Sequence, residues 1–528
     1  MKKTKGIEKR RACYALIPGL FFGFFLSFGY FLQKDGGVPY KNPLVWIAAL
    51  AIGAVLSVLV YLFLGVKGRE GKIPAVSGKK GIRLFLAGAA LFMVVSWLIQ
   101  LLGVYPGFFN YDATNQWEMY AYSQVTAHHP VLHTYLIGKC LHLSYMLFQT
   151  PLPGVFLYMI IQMVFSAIAF LSVIHYLLKK RRPWFLPVFA TLWFALAPTV
   201  VMNVMSATKD SMFAAFFTLF VVNTAEALTE EEFWKKWYKV AGWLIAAFFS
   251  TILRNNAIYI MIPFLAILVW ILRKKKKAFL LLGVIALVII YLGPVTKLIT
   301  VDGVNEREYL SVPVQQVMRV YHLHNEGLSM EEEKLVDEAF ITDAKVLYLP
   351  KIADVAKGSL DREYFDAHKS EMIKLWADLG KKYPADYADA FFLGNYGFWY
   401  PFGTLVLTAD GGEGYFVCRT YGPAWEESKI PAILSYFKHF ENASVVCSNP
   451  LTMWIFAPAT YFYMMLLVLA KMMYQRRKEV IAFVPVLFVW LTFLLGPVAL
   501  VRYVSFLFYL LPFEIGLLLK GDAKKENE

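Results

Sequence analysis

Long apolar runs recur along this chain, and the short segments between them alternate between strongly basic and almost uncharged. An apolar run of roughly 18 residues or more crosses a bilayer as a helix. Twelve such runs are expected, at 12–32, 44–66, 84–104, 155–178, 184–204, 211–228, 239–254, 256–272, 278–297, 451–474, 479–498 and 503–520. The segments KKTKGIEKRR, KGREGKIPAVSGKKGIR, KKRR, RKKKK and QRRK, and the tail after Lys520, then share one side. Roughly 31 Lys and Arg lie there and roughly 6 in the short loops opposite, which places both termini in the cytoplasm.

Composition agrees. The 528 residues are 58% hydrophobic and 17% charged, with a mean hydropathy of +0.52; a soluble domain averages roughly 45–50% apolar. The expected fold is an all-α polytopic membrane protein. Strongly alternating ten-residue strands are absent, which argues against an outer-membrane barrel. The net charge of +14 resides in topology loops, so no nucleic acid is expected as a partner. The first run lacks a small-residue cleavage site and reads as a retained span. Cys13 and Cys140 fall in apolar segments, and Cys418 and Cys447 in a region where a disulfide could form. No Cys/His spacing resembles a zinc site.

Four regions follow: 1–83, with two accessory spans; 84–297, a membrane core with a first outer loop at 105–154; 298–450, an outer domain; and 451–528, the last spans and a cytoplasmic tail. Within the first outer loop, VLHTYLIGKCLHLSYMLF is apolar enough to span. Counting it would flip every later basic loop outward, so it reads as an interfacial helix with Lys139 and His142 on its polar side. Residues 298–450 hold 23 Asp and Glu against 14 Lys and Arg. SMEEEKLVDEAF there looks capped and amphipathic.

On this topology the polar residues that hydrophobicity disfavours gather at the outer ends of the spans: Asp112, His128, His129, Lys209, Asp210, Arg254, Asn255, Asn256 and Arg502. Ionisable groups collected at one depth suggest a site for a polar, anionic group. Asp112, in YPGFFNYDATNQ, could act as a base beside aromatic residues or hold a cation, or simply cap the helix that follows. His128 and His129, before Pro130, could contact an anion or pass a proton, or pack beneath the loop. Lys209 and Asp210 could meet a phosphate or snorkel to water. Arg254 and Arg502 stand in very tight hairpins and need an anionic partner, either a lipid headgroup or a substrate phosphate. Gln315, Gln316, Arg319 and His322 share a helix face that could line the site or be an ordinary polar surface.

In these residues the chain resembles the C-type glycosyltransferase (GT-C) superfamily, over about 84–300. The likeness is one of layout. Asp112 matches the acidic residue of that family's first outer loop, the 130–148 segment its second interfacial helix, and Asp210 its second acidic residue. The resemblance implies a GT-C-like core and a glycosyltransferase that moves a sugar from a polyprenyl-phosphate donor to a cell-envelope acceptor. Asp112 and Asp210 would be catalytic. His128, His129, Lys209, Arg254, Asn255, Arg319 and Arg502 would bind the donor phosphate. A divalent cation, Mg or Mn, could assist, although Lys209–Asp210 replaces the paired acids of many members. In the outer domain, beyond the stretch of the resemblance, Tyr396, Trp399 and Tyr400 could stack on sugar rings. The chain also resembles an uncharacterised bacterial family of multi-spanning proteins, which implies no known activity. The rival reading is a transporter or flippase of an anionic or lipid-linked substrate, which twelve spans suit equally well; a transporter places its polar groups near the midplane on broken helices.

Overall fold

A computed structural model describes residues 2–66, 78–301, 309–403, 427–440 and 450–519. Cys418, Cys447 and the tail after Leu519 lie outside these residues. The described chain is helical, with four isolated bridges and no strand. Its opening helices are α1 (Lys2–Asp35), α2 (Pro43–Gly65), α3 (Gly78–Gly103), α4 (Tyr111–Ala121), α5 (Val131–Phe148), α6 (Leu152–Lys179), α7 (Phe185–Leu196), α8 (Pro198–Val204) and α9 (Lys209–Thr229).

Among the described residues, seven helices are long and apolar enough to cross a membrane, or nine if each of two bent pairs is one span. The seven coincide with expected runs. The other five runs are bent or short. The 184–204 run is α7 and α8, bent by 53°. Pro198 has no N–H to give, which frees carbonyls in the preceding turn. Neighbouring side chains take them: Trp97 Nε1 donates to the Phe194 carbonyl (3.0 Å), and Ser96 Oγ (3.1 Å) and Gln100 Nε2 (3.0 Å) donate to that of Ala195. The runs at 239–254 and 256–272 are α10 (Trp237–Ile252) and α11 (Ile258–Ile271), set at 113° around Arg254 and Asn255. A helical domain follows that includes α12 (Ser311–His324) and α13 (Pro384–Asn395). The 451–474 run breaks at Pro458, where α14 (Pro458–Tyr474) begins. The 479–498 run holds only the 14 residues of α15 (Val480–Phe493). The last helix is α16 (Ser505–Leu518).

Burial decides which helices are central. The apolar window of α9 is 83% buried and that of Val501–Leu518 is 72% buried, against 22% for α3. α9 and α16 therefore form the middle of the bundle. On α2, by contrast, Leu44, Ile47, Val55 and Leu62 are exposed, an apolar face suited to lipid. α1 and α2 meet at glycines: a Cβ on Gly23 would lie 2.5 Å from the Gly53 Cα. Lys471 on α14 is buried and donates to the end of α2, at the carbonyls of Leu64 (3.1 Å) and Val66 (2.6 Å), where a cation complements the helix dipole. α5 is not among the span-length apolar helices, and Lys139 and His142 lie on its exposed side.

The 311–403 region has its own apolar core, around Met318, Tyr321, Val336 and Leu379. Its predicted capping box is present, with Ser329 and Glu332 bonding each other's backbone N–H. Tyr396, Trp399 and Tyr400 are buried rather than open to a sugar. Trp399 packs on Phe25 and donates to Asn395 Oδ1 (2.7 Å), and Tyr396 lies against Gln33. These rings join the domain to α1.

Candidate functional site

The site begins with two loops that run side by side. Phe108 and Ser206 form a parallel bridge, in which the Phe108 N–H donates to the Met205 carbonyl (2.9 Å) and the Ala207 N–H to that of Phe108 (2.8 Å). Two residues later, each chain reaches a side chain that caps a helix. Asn110 Oδ1 accepts from the Ala113 N–H (3.1 Å), opening α4. Thr208 Oγ1 accepts from the Ser211 N–H (3.2 Å), opening α9. Two residues after each cap stands an aspartate, Asp112 on one helix and Asp210 on the other. Asp112 is therefore not the cap; Asn110 does that work, and the Asp112 carboxylate is turned to other partners. The positive ends of both helix dipoles meet the same small volume.

Three cations converge on the two carboxylates. Arg502 Nη1 donates to Asp112 Oδ2 (2.7 Å) and lies 3.3 Å from Asp210 Oδ2, while its Nη2 donates to the Tyr111 hydroxyl (2.7 Å). Lys209 Nζ donates to Asp112 Oδ2 (3.3 Å) and to His129 Nδ1 (2.8 Å). Arg254 pairs with Asp210 and lies between the rings of Phe493 (4.3 Å) and Tyr503 (4.5 Å). Its Nε also donates to Asn256 Oδ1 (3.1 Å), and Asn256 donates to Thr492 (2.6 Å). The site is layered. Asp210 is 1% exposed and Arg254 9%, whereas Asp112, Lys209 and Arg502 keep 12–17% exposure of their side chains and form its accessible edge.

An ammonium can only donate, so His129 Nδ1 must accept from Lys209. The imidazole is then neutral, with its proton on Nε2. Burial, followed by the charge of Lys209, pushes the His129 ring well below its ordinary range. Burial favours a neutral Asp112, but Arg502 and then Lys209 prevail and hold its carboxyl well below the usual carboxylate range. Among the described residues, the three cations and two carboxylates of this cluster carry one net positive charge, which an anion would neutralise.

A buried polar chain braces both loops from behind. His133 faces Gln116 on α4 through Nδ1 (3.1 Å) and the Tyr158 hydroxyl through Nε2 (2.7 Å). The Tyr158 hydroxyl also lies 2.8 Å from Gln162 Oε1, and Gln162 Nε2 donates to the carbonyls of Val204 and Ser206 (both 2.8 Å). Burial, then Lys209, lowers His133 from 6.5 to about 3. A histidine held neutral in the fold binds its proton first in the unfolded chain, so stability falls as pH drops below about 6.5. Asp112 adds its own loss only below the ordinary aspartate range, near 3.8. Thermal unfolding between pH 7.5 and 5 should therefore show a falling melting temperature that is shallower in His133→Gln. An unchanged slope would contradict the neutral assignment.

The structure brings together Asp112, His129, Lys209, Asp210, Arg254 and Arg502. Asn255 and His128 flank them: Asn255 Nδ2 donates to the Ala127 (3.2 Å) and His128 (3.1 Å) carbonyls, and the His128 ring packs on that of His129 at 4.6 Å. Asn255 is thus a brace for the histidine loop. Arg319 keeps different company. It bonds Asp386 (3.2 Å), Asp389 (3.5 Å), the Tyr348 hydroxyl (3.0 Å) and the Gly36 carbonyl (3.0 Å), none of them a partner in the Asp112 cluster. Its charge is used to fasten α12 to α13 and to the α1–α2 loop, which corrects its assignment to phosphate. The 311–403 region does reach the site by another route. The Ala353 N–H donates to the Pro497 carbonyl (2.8 Å), and Ile352 packs on Val498 and Leu500 in the hairpin that carries Arg502.

Several participants were not singled out from the sequence: Asn110, Thr208, Phe493, Tyr503 and the His133–Tyr158–Gln162 chain. One signal was present. Asn110-Tyr111-Asp112 and Thr208-Lys209-Asp210 share a cap-x-Asp spacing. Among the described residues, no three His, Cys, Asp or Glu side chains are grouped to hold a metal ion. Both carboxylates are already committed to Arg and Lys, so the residues do not fit a divalent cation.

No curated protein and no solved structure matches this chain. One family model does, over residues 121–519, and that stretch includes His129, Lys209, Asp210, Arg254 and Arg502 but not Asp112. The chain therefore belongs to DUF6020, a family of unknown function.

Proposed function

We propose that this protein is a membrane glycosyltransferase of GT-C-like architecture, moving a sugar from a polyprenyl-phosphate donor to a cell-envelope acceptor. In this reading the twelve apolar runs are its spans, both termini are cytoplasmic and the site opens on the outer surface. The observation that carries it is the shared cluster: two carboxylates at paired helix starts, bridged by Arg502, with Lys209 on Asp112 and one excess positive charge at an accessible edge. Without a ligand, Asp112 holds the two cations in place. A donor phosphate would draw Lys209 and Arg502 to itself, and the Asp112 carboxylate would be released to accept a proton. The acceptor oxygen then bonds the anomeric carbon as the bond from that carbon to the phosphate oxygen breaks. The hydroxyl proton passes to Asp112, and the charge on the departing phosphate is met by Lys209 and Arg502. The bent helix pairs suit the rival transport reading, but the charges sit at helix ends, which favours transfer.

The test is a mass-spectrometric profile of envelope glycans and lipid-linked sugars in a strain lacking the protein, complemented with wild type or Asp112→Asn at equal expression. The deletion should lose a glycan substituent and accumulate a prenyl-linked sugar, with restoration by wild type alone. Asp112→Asn should slow transfer by roughly 10²–10⁴-fold, the usual worth of a positioned base. Full complementation by Asp112→Asn removes the proposed base. No change in any glycan or lipid-linked sugar turns the reading to transport.

A further inference from the structure

In the site just described, the acceptors that could ligate a divalent cation already face an ammonium. Lys209 Nζ lies between Asp112 Oδ2 (3.3 Å) and His129 Nδ1 (2.8 Å), a carboxylate and an imidazole nitrogen of the kinds that bind divalent ions. The second carboxylate offers no alternative, because Arg254 occupies Asp210 Oδ1 and Arg502 lies on Oδ2. An incoming divalent ion would have to displace Lys209 and then sit beside two guanidinium groups. A phosphate meets the opposite situation, since the ammonium and the Arg502 guanidinium can turn to it from the same edge.

We propose that Lys209 does the work of a divalent cation here, and that the site takes the phosphate of its lipid-linked donor without metal. The inference rests on the transferase reading. It assigns Lys209 a positive charge of fixed position, tied to the chain at the first residue of α9, so that phosphate affinity is independent of the metal supply.

The test measures the affinity of the full-length protein in lipid nanodiscs for a polyprenyl monophosphate, once with excess EDTA and once with added Mg. Wild type should bind equally in both, within about twofold. Lys209→Met should bind about tenfold or more weakly in both, the scale of one lost charge-assisted bond. Lys209→Arg, which keeps the charge, should recover most of that loss and so separates charge from folding. Wild-type affinity that collapses in EDTA overturns the inference and leaves the transferase reading standing, as does Lys209→Met binding like wild type. Absence of wild-type binding under both conditions overturns the transferase reading itself, and the inference with it.

Discussion

Arg502→Ala is expected to destabilise the protein by about 3–5 kcal/mol, the scale on which breaking a buried ion pair leaves its partner uncompensated. One guanidinium serves three acceptors here: Asp112, Asp210 and the Tyr111 hydroxyl. Its removal leaves Asp210 to Arg254 alone and Asp112 to Lys209 alone. It also uncouples α4 from α9, which meet through these two carboxylates. Arg502→Lys should fall between, because a single ammonium cannot span the same three acceptors. Unfolding in detergent, followed by intrinsic tryptophan fluorescence, measures the change. A shift no larger than that of an ordinary surface substitution would mean that the cluster does not hold the two helix starts together.

Arg319→Ala should be of similar size, about 3 kcal/mol, for the same physical reason, yet leave the anion site intact. Asp389 is buried. Without Arg319 it keeps the Tyr40 hydroxyl (2.7 Å) and the Val38 N–H (3.1 Å), but no cation. The loosened part would be the junction of α12 and α13 with the α1–α2 loop. Limited proteolysis should therefore cut within 311–403 sooner in the variant, while polyprenyl-phosphate affinity stays at the wild-type value. A variant that keeps its stability and loses that affinity would return Arg319 to the phosphate site.

The contrast between these arginines shows how far the sequence could be read. Arg502 and Arg254 each interrupt apolar runs with almost no loop around them. Such a charge demands a buried partner wherever the chain goes, and that demand is local. Arg319 lies on an amphipathic helix of an ordinary domain. Its helical face says that it is polar and nothing about which acid it meets, and Asp386 and Asp389 are 67 and 70 residues away. The aromatic residues at 396–400 were misread for the same reason. Rings suited to stacking on sugar are equally suited to packing on α1, and only the docking of α1 decided between the two. The broken runs were harder still. Apolar content at 184–204 is continuous, but Pro198 bends the helix and Trp97, Ser96 and Gln100, about a hundred residues earlier, make the bend affordable.

By itself, then, the sequence determined the helical class, seven of the helices long and apolar enough to span a membrane, and the charged residues that such helices cannot carry without partners. Those follow from hydrophobicity and helix length, which are properties of neighbours along the chain. The tertiary structure alone decided that the Asp112 and Asp210 helices start side by side, that Lys209 lies between Asp112 and His129, and that Arg502 bridges both carboxylates. Each of these is a contact between residues 80 to 390 positions apart, and an ion pair has no periodicity by which the sequence could announce it.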